Sequence, residues 1–323
     1  METILPGWGK GFPSFFPKKN GASARWRVVA ALCALAFIGA AVGARAQESA
    51  NGAKSLRIIS LYAAHTELVI RLGGRDSLVG VSQQETYAGP ETVGWEWPPA
   101  FSINDDVEKF LLAAPDLILV RPQHVNSASN LFDTLRQAGV RVWVRQVTNA
   151  DDIYAYWREL GDFCGKPMEA RQMVADFQIA LEPYQANLAR ADKPGVFIES
   201  IHREIKTFTP DSIPIWLLEL AGGYNVAQDA EPVRDGLMVA NYGPERLLAK
   251  AELIDAFIAQ DGQMNRVPLE TILARDLYRV LPAFKNGRVY KIPEDLISRP
   301  TPSLLEGLRL MRGMVYPGAP DNG

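Results

Sequence analysis

The sequence has 323 residues, of which 47% are hydrophobic, and its 34 Lys and Arg against 37 Asp and Glu give a net charge of −3. This slightly acidic balance argues against a nucleic acid or an anionic membrane surface as the partner. With only two cysteines the chain is no disulfide scaffold, and its length allows a hydrophobic core that is stable without such bridges.

The first 46 residues are predicted to be a secretory signal peptide. Basic residues end at Arg25 and Arg27, an apolar run covers residues 28–42, and Ala44-Arg45-Ala46 supplies a cleavage site of the small-x-small type. The apolar run of about 15 residues is shorter than the ~20 residues of a membrane-spanning helix, although retention of the segment as an uncleaved anchor is an alternative.

Cleavage after residue 46 would remove six Lys/Arg and one Asp/Glu, so that residues 47–323 carry 28 basic and 36 acidic side chains and a net charge of −8. It would also remove Cys33, which lies inside the apolar run, and leave Cys164 without a disulfide partner. No later segment is long and apolar enough to span a bilayer. We therefore expect an exported, soluble, monomeric protein.

Strands and helices alternate in the first half of the exported chain. The run Leu56–Leu61 predicts a strand, and Ala63–Leu72 predicts a helix that ends at Gly73-Gly74. Three more strands are predicted at residues 78–81, 117–120 and 140–144, with a helix near 128–138 before the last. This spacing indicates a parallel sheet that is covered by helices on both faces.

A long helix is predicted next, from Pro167 to about Arg190. Pro167 suits the first turn of a helix, and apolar residues recur at steps of three and four along the segment. About 24 residues at ~1.5 Å each would reach roughly 36 Å, enough to join two small domains. Because an interior proline bends or breaks a helix, we expect a bend between Ile179 and Pro183.

The alternation then restarts, which predicts a second α/β lobe. Strands are expected at residues 195–199, 253–258 and 288–292, and helices at 212–220 and 302–314. The predicted architecture is therefore α/β, with two parallel-sheet lobes joined by one long helix. Its parts are a signal peptide at 1–46, an N-terminal ligand-binding lobe at 47–165, a linking helix at 166–192 and a C-terminal ligand-binding lobe at 193–323.

One short pattern occurs once in each half of the chain. The segments Val107–Val120 and Pro244–Ile254 both read as a glutamate near the start of a short helix, followed by a turn and an apolar strand. The two glutamates are Glu108 and Glu245. Such a repeat behind an export signal indicates two similar lobes with an acidic residue at an equivalent place, and favours a two-lobed solute-binding protein over an enzyme.

Six stretches, taken in order, carry a family resemblance. They are Ile59–Leu61 with Thr66–Leu68, Val79–Ser82 with Tyr87, Glu108 with Pro115–Leu117, Leu217–Val226, Lys285–Tyr290 and Arg299–Leu308. From about Arg57 to Pro317 the chain resembles the periplasmic binding proteins of ABC importers for iron chelates and cobalamin, whose two lobes are joined by one long helix. The resemblance implies a periplasmic location and transport without covalent chemistry.

Three positions depart from the family's pattern. They are Tyr62 after the first strand, Ala88-Gly89-Pro90 after the pocket tyrosine, and Ala251-Glu252-Leu253 before a strand of the second lobe. These departures affect the identity of the ligand more than the fold.

The resemblance implies that Glu108 and Glu245 are acidic contacts, one on each lobe, for arginines of the ABC permease subunits in the inner membrane. Exposed ion pairs stabilise a complex by only about 0.2–1 kcal/mol each, which suits a partner that docks and then dissociates. The alternative is that each glutamate only stabilises the first turn of its helix through the helix dipole. The two roles are compatible.

Ligands of α/β proteins bind beyond the carboxyl ends of the strands, so the cleft is expected where these ends of the two lobes face each other. The candidates are Tyr62, Tyr87, Trp95, Trp97, Arg121 and the residues up to His124 from the first lobe, and His202, Arg203, Phe208, Trp216, Tyr242 and Arg299 from the second. Aromatic rings and arginines together suit a bulky anionic metal chelate. The alternatives are a core position for Trp216 and a solvent-exposed charge for Arg299.

A ferric siderophore-type complex is the favoured ligand, with cobalamin and haem as alternatives of the same class. Tyr87 occupies a position at which some haem-binding relatives place an iron-ligating tyrosine, but non-haem relatives share it. No two of His65, His124 and His202 have the spacing of metal ligands, so no bare-metal site and no resident cofactor are expected. His65, on the first helix, is expected at the surface or near the helix cap.

An enzyme is the alternative from a different class. The sequence shows no Gly-x-Ser-x-Gly elbow, no phosphate-binding glycine loop and no His-Glu-x-x-His motif. No base is visible beside Cys164 that would make it a nucleophile. A third possibility is a ligand-binding sensor component, which would have no need for the paired acids Glu108 and Glu245.

Overall fold

A computed structural model describes residues 56–85, 87–186, 192–263 and 265–318. The predicted signal peptide at 1–46 lies outside the described residues. No helix of the described part is long and apolar enough to cross a membrane. From Leu56 onward the chain is one unit, in which we name residues 56–165 the N-lobe and residues 192–318 the C-lobe.

The N-lobe is built on a sheet of parallel strands. In chain order these are β1 (Ile58–Ser60), β2 (Leu78–Ser82), β3 (Ala100–Phe101), β4 (Leu117–Val120) and β5 (Arg141–Val144). The spatial order β3-β2-β1-β4-β5 places β1 at the centre, and every residue of β1 and β4 is buried. Strands that are buried on both faces read as continuous apolar runs, which is why the sequence predicted a covered parallel sheet.

Helices cover both faces of this sheet. They are α1 (Ala63–Arg71), α2 (Val107–Leu112), α3 (Pro122–Ser127), α4 (Ser129–Gln137) and α5 (Ile153–Phe163). On one face, Phe110 of α2 and Phe132 of α4 pack on Ile118. On the other, Leu68 of α1 and Trp157 of α5 belong to the core that contains Leu117. The prediction of a parallel sheet that is covered by helices on both faces is thus confirmed.

The long helix α6 (Pro167–Gln185) follows the N-lobe and begins with a proline in its first turn, as predicted. Its buried residues recur at steps of three and four along one face: Ala170, Val174, Phe177, Leu181 and Tyr184. The helix ends at Gln185, earlier than the predicted Arg190, and residues 187–191 lie outside the described part. Pro183 lies in the last turn, where few backbone hydrogen bonds are lost.

The C-lobe contains two sheets. Its strands are β6 (Gly195–Glu199), β7 (Thr207–Phe208), β8 (Tyr224–Asn225), β9 (Glu231–Pro232), β10 (Val239–Asn241), β11 (Ala256–Asp261) and β12 (Val289–Pro293). The order β12-β11-β6-β8 forms a parallel sheet, while β7, β10 and β9 form a small antiparallel sheet that the sequence did not predict. The predicted strand at 253–258 was placed too early, because Ala251–Leu253 is a 3-10 turn.

The helices of the C-lobe are α7 (Ile213–Leu220), α8 (Pro244–Ala249), α9 (Leu269–Leu273), α10 (Pro282–Lys285), α11 (Glu294–Ser298) and α12 (Leu304–Val315). Short 3-10 turns lie at Arg75–Ser77, Pro90–Thr92 and Asp276–Val280 elsewhere in the chain. The predicted closing helix at 302–314 begins at Leu304, because Pro300 and Pro302 separate it from α11. This break between α11 and α12 lies at the cavity described next.

Candidate ligand-binding site

A cavity of about 460 Å³ lies between the two lobes, and we name it the interlobe cavity. The N-lobe lines it with Leu61, Tyr62, Ala63, Ser82, Gln84, Arg121, Gln123, His124 and Gln146, and the C-lobe with Leu237, Met238, Val239, Gln263, Glu294, Ser298 and Arg299. Most of these residues follow the carboxyl ends of β1, β2, β4, β5 and β11, where α/β proteins bind their ligands. The volume is within the range of roughly 300–1,000 Å³ that is usual for small-molecule sites.

Arg121 and Tyr62 form the centre of the N-lobe wall. The guanidinium carbon of Arg121 lies 4.3 Å from the centroid of the Tyr62 ring, a cation–π contact. Arg121 Nη2 is 3.4 Å from His124 Nε2, and Arg121 Nε is buried without a hydrogen-bond partner among the described residues. No carboxylate of the described part forms an ion pair with Arg121, so its charge faces the cavity without a direct counter-ion.

Arg299 brings a second guanidinium from the opposite lobe. It follows α11, lines the cavity, and makes no side-chain hydrogen bond or ion pair with any described residue. Burial lowers the pKa of Arg121, and the positive charge of Arg299 lowers it further, whereas Tyr62 and Glu294 act in the opposite direction. The two guanidinium groups thus line the same cavity, one from each lobe.

Two further groups of the cavity have shifted pKa values. Burial first, and then the charge of Arg121, lower the pKa of His124 to about 4, so this imidazole is neutral near pH 7. Burial raises the pKa of Tyr62, which keeps its hydroxyl protonated. Beside these two groups, the described lining contains the arginines Arg121 and Arg299 and the acidic residue Glu294.

Glutamines are a feature of the lining that the sequence prediction missed. Gln84, Gln146 and Gln263 each lie two residues beyond the end of a strand, namely β2, β5 and β11. The same position relative to β1 is held by Tyr62, which was predicted. A rule based on this offset would have found the amides, whose oxygen and NH₂ group can accept and donate hydrogen bonds.

The predicted aromatic residues of the N-lobe other than Tyr62 do not line the interlobe cavity. Tyr87 is buried, donates its hydroxyl hydrogen bond to Glu91 Oε2 at 2.7 Å, and lies under the guanidinium of Arg71 at 5.5 Å. Trp95 and Trp97 contact each other, with ring centroids 4.7 Å apart. A role of Tyr87, Trp95 and Trp97 in ligand binding stays a prediction that this geometry does not support.

The C-lobe candidates also differ in placement. His202 is buried and its Nδ1 lies 2.9 Å from Glu199 Oε2, within the lobe. The Arg203 side chain is 90% exposed and is not among the residues that line the cavity. Phe208 is 1% exposed and belongs to the core. Of the C-lobe candidates, Arg299 alone is part of the cavity wall.

Trp216 and Tyr242 complete the predicted set, and neither lines the interlobe cavity. Trp216 is half-buried on α7 and packs against the main core. Tyr242 is buried in a second core of the C-lobe, with its hydroxyl 3.4 Å from Asp229 Oδ1. Both are explained by packing.

The expectation that His65 lies at the surface is wrong. Its exposed fraction is 0%, and its ring is surrounded by those of Tyr62, Trp143 and Tyr156 at centroid distances of 5.0, 5.2 and 5.9 Å. Helix α1 is buried on almost every side. Its sequence therefore shows no polar face that would distinguish exposed from buried positions, and the burial of His65 could not be predicted. Burial lowers the pKa of His65 to about 3, and the charge of Arg121 contributes.

Glu108 and Glu245 occupy matching places in the two lobes. Each is exposed in the first turn of a six-residue helix, α2 or α8. Neither helix has a side-chain capping hydrogen bond, and neither carboxylate forms an ion pair with a described residue. Leu112, one turn after Glu108, is 87% exposed. The carboxylates are therefore free to meet a partner, and a helix-dipole contribution is compatible with that.

A resident metal site would require clustered ligands. Within the described residues, no group of three or more His, Cys, Asp or Glu side chains could hold a metal ion. Cys164 lies at the end of α5, and burial raises the pKa of its thiol to about 12, so it is not a reactive thiolate.

Comparisons with known proteins agree with this architecture. An ABC transporter substrate-binding lipoprotein of Bacillus subtilis, YvrC, is 27% identical over 270 residues, covering 81% of this chain and 80% of its own. A vitamin B12-binding protein of Vibrio parahaemolyticus is 26% identical over 255 residues, covering 78% of this chain and 86% of its own.

Solved structures match as well. A possible iron-binding periplasmic solute-binding protein of Staphylococcus epidermidis is 26% identical, with a TM-score of 0.69 over 81% of this chain and 100% of its own. The periplasmic haem-binding protein HutB of Vibrio cholerae shares the fold, at 19% identity and a TM-score of 0.68 over 82% of this chain and 100% of its own. The periplasmic binding protein family model matches residues 58–296, so the chain belongs to the periplasmic binding protein family.

Proposed function

We propose that this protein captures an anionic metal chelate in the interlobe cavity and delivers it to the permease of an ABC importer. The observation that carries the proposal is the pair Arg121 and Arg299, one from each lobe, which face the same cavity without ion-pair partners among the described residues. An anion between them would remove their mutual repulsion and form charge-assisted, bidentate hydrogen bonds with both.

The remaining lining fits a chelate with both polar and apolar parts. Tyr62 and the apolar residues Leu237 and Met238 offer contact area, and the glutamines offer donors and acceptors. A ferric siderophore-type complex with oxyanion ligands matches the two guanidiniums best. Haem, with its two propionates, is the alternative that presents the same anionic chemistry.

Cobalamin is a second candidate, and a separate observation favours it. Curated relatives that cover more than three quarters of the chain are named vitamin B12-binding proteins, among them those of Vibrio parahaemolyticus and Vibrio vulnificus. The amide side chains of a corrinoid would pair with Gln84, Gln146 and Gln263. A corrinoid would provide fewer negative groups to pair with Arg121 and Arg299, which is why it ranks second.

Export and docking complete the proposal. The leader at residues 1–46 directs the chain across the inner membrane and is cleaved after Ala46, and the mature protein acts as a periplasmic monomer. Glu108 and Glu245 contact arginines of the permease, one on each lobe. Neither carboxylate is ion-paired with another described residue, which supports this role because docking then requires no such pair to be broken.

Calorimetric titration of the exported protein tests the ligand class. Ferric enterobactin and haemin serve as anionic chelates, ferrichrome as a neutral ferric complex and cyanocobalamin as the corrinoid. We expect micromolar or tighter binding of one of the two anionic chelates and at least tenfold weaker binding of ferrichrome. Tight binding of cyanocobalamin alone would transfer the assignment to corrinoids, and binding of none would overturn the proposal.

A further inference from the structure

The segment Arg299–Ser303 is attached to both lobes, although it belongs to the C-lobe by sequence. Just before it, Ser298 Oγ donates a hydrogen bond of 2.9 Å to Gln260 Oε1 at the end of β11. Just after Arg299, the carbonyl of Pro300 accepts a hydrogen bond of 2.7 Å from Trp157 Nε1 of α5 in the N-lobe. Arg299 therefore lies between an anchor to one lobe and an anchor to the other.

A second anchor joins the segment to α1 of the N-lobe. Ser303 Oγ donates to Glu67 Oε1 at 2.5 Å. The same carboxylate oxygen accepts from Arg71 Nε at 2.8 Å, and Arg71 Nη2 donates to Ser303 Oγ at 3.1 Å. Glu67 is 2% exposed, so the shared acceptor of this network is withdrawn from water, whereas the Arg71 side chain stays 27% exposed.

The backbone between the anchors is stiff. Pro300 and Pro302 fix their own φ angles and restrict the residues that precede them to extended conformations. Arg299 has φ −95° and ψ 128°, as a residue before proline requires. Pro300 and Thr301 are buried. A displacement at Trp157 or Ser303 would therefore be transmitted to Arg299 without being absorbed between them.

We infer that Trp157, Glu67 and Ser303 are positioning residues that hold the backbone of Arg299 at the edge of the cavity that Arg121 lines from the other lobe. This inference rests on the proposed function, in which an anion binds both arginines. The three residues do not touch the ligand. They fix the backbone of a C-lobe residue to the lobe that carries Arg121, so the cavity is preorganised for an anion.

Trp157→Phe tests the inference, because it removes the N–H donor and keeps an aromatic ring. Trp143→Phe is the matched control, since Trp143 Nε1 donates to Glu159 Oε1 at 2.9 Å within the N-lobe and away from Arg299. Calorimetry on the exported protein measures the affinity for whichever of the two anionic chelates, ferric enterobactin or haemin, binds more tightly. We expect Trp157→Phe to weaken binding about 5- to 10-fold, the value of one hydrogen bond, and Trp143→Phe to leave it within about twofold.

A double-mutant cycle with Arg299→Met separates positioning from a general structural effect. If Trp157 acts through Arg299, Trp157→Phe has no further effect once Arg299 is replaced. The inference is overturned if Trp157→Phe lowers the affinity equally in the wild-type and Arg299→Met proteins, or if it does not lower the affinity of the wild-type protein. If Trp157→Phe does not fold, Ser303→Ala replaces it with the same expectations. Unchanged affinity in Arg299→Met itself contradicts the proposed anion site, so the two failures are distinguishable.

Discussion

The buried imidazole of His65 makes a quantitative prediction about acid stability. The ring lies between those of Tyr62, Trp143 and Tyr156, and neither ring nitrogen has a well-formed hydrogen bond among the described residues. Burial, with the charge of Arg121, lowers the pKa of His65 from 6.5 to about 3, and the nearby backbone of Arg145 offsets this only in part. His65→Phe fills the same space with a ring that cannot be protonated.

The lowered pKa of His65 makes the free energy of unfolding depend on pH, because the folded and unfolded chains bind different numbers of protons. Because the pKa of His65 is lower in the folded state, the unfolded chain binds a proton between pH 6.5 and about 3 that the folded chain does not. Stability therefore falls as the pH decreases through this window, by about 1.4 kcal/mol per pH unit. Between pH 7 and pH 5 the loss from this one group is about 2 kcal/mol.

Urea unfolding at pH 7 and pH 5, followed by circular dichroism, measures the effect. We expect the wild-type free energy of unfolding to fall by about 2 kcal/mol more than that of His65→Phe over this interval. Carboxylates titrate in both proteins and cancel in the comparison, as does any fixed cost of the substitution. An identical pH dependence in the two proteins would refute the reasoning.

Three further predictions concern docking, export and packing. Glu108→Arg combined with Glu245→Arg should leave chelate affinity unchanged and abolish uptake in a reconstituted importer; full uptake would exclude the docking role. Sequencing of the exported protein should begin at Gln47, whereas an intact leader would indicate an anchor. Phe177→Ala should reduce the free energy of unfolding by about 3–5 kcal/mol. The Phe177 ring, on the helix α6 that joins the lobes, is 2% exposed and packs against Trp157 of α5. A loss below about 1 kcal/mol in urea unfolding would contradict that packing role.

Local periodicity was enough to predict the architecture. The strands β1 and β4 are continuous apolar runs because both faces of the sheet are covered, and α6 shows one apolar face over its whole length. The short strands β9 and β10 escaped prediction because Glu231–Pro232 and Val239–Asn241 form no apolar run such as the one that contains β1. The existence of two lobes and their long connection could thus be read from the sequence.

The side chains of the site were less predictable, since their placement depends on contacts between distant parts of the chain. Glu67 is buried because it meets Ser303, 236 residues further on. Arg203 and Arg299 both follow strands or short helices of the C-lobe, but Arg203 is exposed, whereas Arg299 lines the cavity beside a segment that is hydrogen-bonded to Trp157 of the N-lobe. Tyr62 and Arg121 were predicted because they come directly after central strands, whose ends define the cleft.

The proposed function requires that Arg121 and Arg299 together bind an anionic chelate. Its most direct test is calorimetric titration of the wild-type protein, Arg121→Met and Arg299→Met with the anionic chelate that binds tightest, with Arg203→Met as a control of equal charge outside the cavity. Hydrogen bonds to a charged group contribute about 1.5–3 kcal/mol, so each cavity variant should bind roughly 10- to 150-fold more weakly, and the control should bind as wild type. Wild-type affinity in both cavity variants, or an equal loss in Arg203→Met, would contradict the account.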